Sequence, residues 1–215
     1  MRLFLDVPYA QKEEAKALGA RWNPKVRKWY IDSNPAQYIK FEQWIHGAIV
    51  MDNIYILEAQ QNCFHCKKPT TVIGLGVENH FEIEDGEAYY GPPGIHLCWS
   101  PDTDKIPPAL LNYIQKNYSV SVRYSRTTRS SSFSNFCQNC NMLQGNYYLF
   151  NEPGSPLRPD NIKNIKIFKF RIRDALILDW DISYSFEDDM YYKCEEIKKV
   201  FLTADSSPAK YEDLY

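Results

Sequence analysis

The sequence predicts an α+β protein: a small N-terminal βαβα-like unit, then a β-rich domain with a C-terminal β-hairpin and helix. Three observations carry this. Helix-forming residues alternate with short apolar strands over the first fifty positions. Period-two patterning recurs between Ile54 and Tyr184, as half-buried strands require. Two Cys-x-x-Cys pairs, Cys63–Cys66 and Cys137–Cys140, lie far apart in the chain and each invites a tight turn.

In the first segment, Leu3–Val7 is a strand candidate, followed by a helix over Gln11–Leu18. Its acidic residues fall in the first turn, where the helix dipole favours them. Gly19 suits a left-handed stop. Asn23-Pro24 marks a turn before a strand at Lys28–Ile31. Asn34 caps a second helix that opens on Pro35, runs toward Ile45 and ends at Gly47.

The second segment opens on strand Ile54–Leu57, which delivers the chain to Cys63. Thr70–Val77 is the next strand. An acidic, turn-rich stretch (Glu82–Gly94) and a helix (Pro108–Lys116) follow. Ser119–Tyr124 alternates as a strand. Ser125–Ser134 is polar and locally basic and reads as a flexible loop. Asn146–Phe150 is expected to leave the second cysteine pair as a strand. In the third segment, Ile165–Ile167 and Phe168–Ile172 alternate with a phase slip between them, which implies a bulge. A second alternating run, Leu176–Tyr184, completes a hairpin, and Asp188–Leu202 is a helix candidate. The expected division is 1–50, 51–203 and a flexible tail over 204–215.

The chain has 215 residues, 44% of them hydrophobic and 15% aromatic, enough for a packed core. Its formal net charge is −2, which gives no global attraction to nucleic acid. Residues 1–50 carry a net +3, residues 51–160 a net −3 and residues 161–215 a net −2. No apolar run is long enough for a signal core or a bilayer span, so the expected setting is the cytoplasm, without a membrane partner.

In a reducing compartment paired cysteines favour metal over disulfide. Cys63, Cys66, Cys137 and Cys140 are therefore expected to hold one structural zinc. A closed four-thiolate cage leaves no position for activating water. Cys98 and Cys194 read as buried small hydrophobes. Substitution of one thiolate by His65, or recruitment of His96 and Cys98, stays open. A redox Cys-x-x-Cys would want a thiol at a helix N-terminus, which the pattern does not offer.

Two parts of the chain resemble known families. Leu5-Asp-Val-Pro-Tyr9, Glu14–Trp22 and Lys28-Trp-Tyr30 resemble a small bacterial domain of unknown function that recurs in plasmid primases, helicases and conjugation-linked proteins. The likeness covers about residues 2 to 45 of this chain. Cys63–Cys66, Arg126-Thr-Thr128, Asn135–Cys140 and Leu143–Asn146 are similar to uncharacterised bacterial two-CxxC zinc-type proteins, across roughly residues 54–150. Relatives of that second kind usually carry Trp at Phe64 and Gly at Asn141; Asn also tolerates left-handed geometry. The resemblances imply a metal site and an association with mobile or conflict-related genes, without a reaction.

Trp22, Lys25, Arg27, Lys28, Trp29 and Tyr30 mix aromatics with cations and could stack on single-stranded nucleic acid. The competing and favoured reading buries Trp22 and Trp29 in the small unit's core. Arg123, Arg126 and Arg129 could contact phosphates or an acidic partner, or simply solvate a loop. Asp179 and Asp181 lie on one face of a strand and lack a third ligand or base. Glu187–Asp189 reads as an exposed acidic turn. His46, His65, His80 and His96 form no catalytic pattern. The sequence thus favours a non-catalytic binding protein. A protein partner is slightly preferred, in an accessory or toxin-neutralising (immunity-type) role. Nucleic acid is the first alternative, and an enzyme such as a nuclease the second.

Overall fold

The computed structural model describes residues 1–99, 103, 106–172, 174–178, 181–182 and 197–202. It is a mixed structure, mostly β. The N-terminal unit comprises β1 (Arg2–Leu5), α1 (Lys12–Ala17), β2 (Arg21–Asn23), β3 (Lys28–Asp32) and a 3-10 helix over Pro35–Trp44. Its sheet has the antiparallel order β1–β3–β2. Gly19 takes φ 103°, and the Ala20 N–H reaches the Ala15 carbonyl at 2.9 Å, which closes α1 as the sequence implied. The Asn34 side chain accepts from the Ala36 N–H at 2.7 Å and starts the 3-10 helix.

The remaining elements, in chain order, are β4 (Ala48–Val50), β5 (Asn53–Asn62), β6 (Pro69–Val77), β7 (His80–Glu84), β8 (Glu87–Tyr90), β9 (His96–Trp99) and α2 (Pro108–Asn117). β10 (Val120–Ser125), β11 (Ser130–Phe136), β12 (Leu143–Gln144) and α3 (Asn146–Phe150) follow. β13 (Lys166–Ile172), β14 (Leu176–Leu178), β15 (Asp181–Ile182) and β16 (Ile197–Leu202) complete the set. They build a six-stranded sheet in the order β15–β9–β6–β5–β13–β16, a four-stranded sheet β14–β4–β7–β8, and a three-stranded sheet β10–β11–β12.

The six-stranded sheet is buried on both faces. Ile54 and Ile56 face one core with Phe170, Ile172, and Leu110 and Ile114 of α2. Tyr55 and Leu57 face the other with Val72, Leu97, Leu149, Phe150 and Ile167. A third core joins Leu3, Leu5, Tyr38, Phe41 and Trp44 to Ile49, Phe81 and Ala175. The N-terminal unit is thereby sealed to the body. Leu3 bridges Ala175 in parallel, and the Arg2 guanidinium grips the buried Asp174 carboxylate at 2.7 and 2.9 Å.

Several expectations are corrected. β13 pairs one-to-one with β5 from Lys166↔Glu58 to Arg171↔Asn53, so there is no bulge. The adjacent apolar residues Ile167 and Phe168 simply serve the two buried faces. The expected hairpin is also absent among the described residues: β13 lies between β5 and β16, whereas β14 pairs with β4. Residues 197–202 are a strand running parallel to β13, not the end of a helix. With two β-branched residues, Ile197 and Val200, and Phe201 the segment adds a strand to the sheet, and this outweighs local helix propensity. Ser130–Phe136 is a strand rather than a loop, with Phe133, Ser134 and Asn135 buried. Asn146–Phe150 is a short helix, because Leu149 and Phe150 turn into the second core. Asp179, Trp180, Glu187–Asp189, Cys194 and the 204–215 tail lie outside the described residues.

His80 and His96 are both buried, with ring centroids 5.4 Å apart. Burial pushes the His80 pKa below its ordinary 6.5, against the Glu78 carbonyl that faces Nδ1 and alongside neighbouring His96. A group depressed in the folded state adds stability above its unfolded pKa and loses it as pH falls through the folded value. Acidification below pH 6.5 should therefore lower the urea midpoint, and His80→Asn should flatten that slope. An NMR titration placing His80 above 6.5 would contradict this.

Candidate metal centre

Each Cys-x-x-Cys pair forms the tip of a β-hairpin. The first joins β5 to β6 beyond the Asn62↔Pro69 pair, and the second joins β11 to β12 beyond Phe136↔Leu143. The two tips share one backbone pattern. The Lys67 N–H donates to the Cys63 carbonyl at 2.9 Å, and the Cys63 N–H to the Lys68 carbonyl at 2.9 Å. Asn141 and Cys137 repeat these bonds with Cys137 and Met142 at 2.8 Å. The residue after each second cysteine is left-handed, Lys67 at φ 62° and Asn141 at φ 61°. Asn141 thus takes a left-handed conformation that Asn tolerates.

The tips meet. All four sulfurs lie within 4.8 Å of one another, with Cys63–Cys140 at 3.6 Å and Cys66–Cys137 at 3.7 Å. This cluster is compatible with one metal ion, and it includes neither His65, His96 nor Cys98. His96 Nε2 instead meets the Pro92 carbonyl at 2.9 Å, and Cys98 sits in the first core. Burial raises the Cys63 thiol, but the N–H groups of Cys66 and His65 outweigh it and hold the pKa down. At Cys137 burial is again opposed, by Asn139 and Cys140 N–H groups, and the pKa falls to about 6. The Met142 N–H favours the Cys140 thiolate, yet burial and the neighbouring sulfurs push it up to about 12. Cys63 and Cys137 ionise more readily and Cys140 resists beside them, which is the electrostatics a bound cation relieves.

Side chains that sequence reasoning did not single out hold the tips together. Asn135 reaches across to β6: its Oδ1 accepts from the Ile73 N–H at 2.8 Å and its Nδ2 donates to the Ile73 carbonyl at 2.9 Å. Asn139 Nδ2 donates to the Pro69 carbonyl, and Thr70 Oγ1 accepts from the Gln138 N–H. Gln144 donates to Cys63 Sγ at 3.5 Å and accepts from Gln61 at 3.0 Å. The only sequence signal was the likeness to two-CxxC proteins, which included Asn135 and Gln144 without a role.

The remaining candidates divide. Trp22 is 48% exposed and meets half-buried Trp29 edge-on at 5.7 Å, so Trp22 is not a core residue as expected. It sits on edge strand β2, beyond the reach of the core. The β2–β3 register places Lys28 and Tyr30 on the opposite face from the tryptophans. Lys28 pairs with Asp6 at 2.8 Å, and Lys25 and Arg27 occupy the exposed turn. Arg123 lies over the Phe136 ring and donates to Asn141 Oδ1 at 3.0 Å, beside the second tip. Arg126 and Arg129 are exposed at the β10–β11 turn.

Residues 2–46 match the family model described as "Domain of unknown function (DUF5710)". The N-terminal unit is thus the domain shared with plasmid primases that its residues suggested. Two Escherichia coli proteins named DNA primase TraC are similar over this region. One is 40% identical over 47 residues, covering 22% of this chain and 3% of that protein. The other is 45% identical over 42 residues, covering 19% and 4%. The matched region is thus a small fraction of either relative. No solved structure matches the chain. No helix among the described residues is long and apolar enough to cross a membrane.

Proposed function

We propose that this chain is a non-catalytic binding protein whose two distant hairpins are clamped by one structural zinc. The sulfur geometry carries the reading. Tetrahedral zinc with bonds of about 2.3 Å separates its thiolates by about 3.8 Å. The Cys63–Cys140 and Cys66–Cys137 separations of 3.6 and 3.7 Å fit that cage. Zinc there would act as a crosslink, since four thiolates fill its coordination shell. Free thiolates of this kind suit a reducing compartment such as the cytoplasm. Residues 1–50 would be an appended unit that contributes a surface and not a reaction.

Elemental analysis of the purified chain should find one zinc per molecule, with release of about four titratable thiols on chelation. A chain free of stoichiometric metal whose β10–β11–β12 sheet is nonetheless folded would refute the reading. For a protein partner, the supporting feature is edge strand β8. There Tyr89 and Tyr90 are exposed among Glu82, Glu84, Asp85 and Glu87. Such an edge suits a basic partner, as an accessory or toxin-neutralising role would require.

A further inference from the structure

The net charge of the middle segment conceals a sharp segregation. Residues 105–151 contain no Asp or Glu, and neither do residues 59–77. These two stretches supply both cysteine tips and the β10–β11–β12 sheet. Lys67, Lys68, Arg123, Arg126 and Arg129 therefore stand in a lobe without a single carboxylate of its own. Of the acids that border these stretches, Glu58 accepts from the Tyr118 hydroxyl and faces Lys166, and Glu152 lines a pocket with Gln60, Gln61 and Tyr148. Arg126 and Arg129 make no ion pair among the described residues. Even a divalent ion with four thiolates, formally −2, leaves the lobe positive.

The same lobe exposes aromatic rings. Phe64 on the first tip is 58% exposed, Tyr124 on β10 62%, and Tyr148 just past β12 62%. The Arg123–Asn141 contact fixes β10 against the second tip, so Tyr124 and the Arg126–Arg129 turn extend outward from the metal centre. Rings held on a rigid support cost little entropy when a base stacks on them. Adjacent guanidinium groups meet the phosphates. A duplex hides its base faces, whereas a single strand offers them.

We infer that the metal lobe is a contact surface for single-stranded nucleic acid, with Tyr124 and Phe64 as stacking rings and Arg126 and Arg129 as phosphate contacts. This rests on the lobe being folded by its metal. It gives the binding protein proposed above a nucleic-acid partner, on a different sheet from the β8 edge.

Fluorescence anisotropy of the full, metal-loaded chain with 20-nucleotide oligo-dT, 20-nucleotide oligo-U and a 20-base-pair duplex tests it, across 50–200 mM salt. The expected result is micromolar or tighter binding of a single strand that exceeds duplex binding and weakens steeply with salt. Arg126→Ala with Arg129→Ala should make the log–log salt slope shallower by about 1.4, from about 0.7 per phosphate. Tyr124→Ser should weaken binding by about tenfold and leave the slope unchanged. All three side chains are exposed, so metal content should be retained, and its measurement separates this inference from the zinc reading. Oligo-dT and oligo-U distinguish DNA from RNA, and a preference for either supports the inference. Metal-loaded chain that ignores both strands, or binds the duplex equally well, overturns it, and the former leaves the protein partner as the reading. Loss of binding in Trp22→Ser alone, with the lobe variants unaffected, also overturns it by moving the contact to the N-terminal unit.

Discussion

Cys137→Ser is expected to purify with well under one metal per chain and to lose amide protection across β10, β11 and β12. Three thiolates remain, but the tetrahedral cage is broken and the two tips are joined only by neutral hydrogen bonds. Structural zinc sites in small peptides supply roughly 10–16 kcal/mol of apparent binding energy, all of it coupled to folding. That is comparable to the whole stability of a typical domain, about 5–15 kcal/mol. Here the loss should stay largely local, because most of the two cores beside the six-stranded sheet comes from outside β10–β12, with only Val120 and Phe133 of that sheet reaching into the first. Hydrogen exchange should show β5, β6 and β13 protected while the lobe opens, and a chelator should reproduce the pattern in the unmodified chain. Cys98→Ala is the control and should keep its metal, since Cys98 lies in the first core. Retention of stoichiometric metal by Cys137→Ser would count against the centre.

Asn135→Ala should be the most damaging substitution outside the cysteines. Its amide takes the place of a strand partner: among the described residues β9 pairs with β6 over Leu75–Val77, and the Ile73 N–H and carbonyl bond to the Asn135 side chain. Asn135 supplies both the acceptor and the donor that Ile73 needs. Truncation strands two buried backbone groups, for an expected loss of about 2–6 kcal/mol at about 1–3 for each. Asn135→Asp sharpens the test. It can still accept from the Ile73 N–H but turns an oxygen toward the Ile73 carbonyl, so it should rescue little. Urea denaturation with unchanged m-value reads the effect directly. A midpoint like that of the parent would show that water replaces the amide.

The parts of this fold that were legible in the sequence are those set by neighbours in the chain. The cysteine spacing, the Asn34 cap and the left-handed Gly19 and Asn141 each follow from a few adjacent residues. The misread elements are those chosen by distant partners. Asn146–Phe150 has β-forming residues, yet Leu149 and Phe150 find their core by turning helically. Ser130–Ser132 look like loop until β10 lies alongside, and β13 looks bulged until both sheet faces are known to be buried. Trp22 was expected inside on average burial grounds, but its strand is the edge of a three-stranded sheet. The four clustered cysteines could be named from sequence. Asn135 and Gln144 could not, because their partners lie across the fold.

The seal between Leu3 and Ala175 has a consequence for how the molecule is made. Translation proceeds from the N-terminus, so β1 emerges well before the segment that covers its outer edge. Between the synthesis of Leu3 and that of Ala175 the nascent chain presents an uncapped strand, the kind of surface that recruits chaperones or misassociates between neighbouring ribosomes. Truncated products ending before Asp174 should therefore be far less tractable than their intact N-terminal unit would imply.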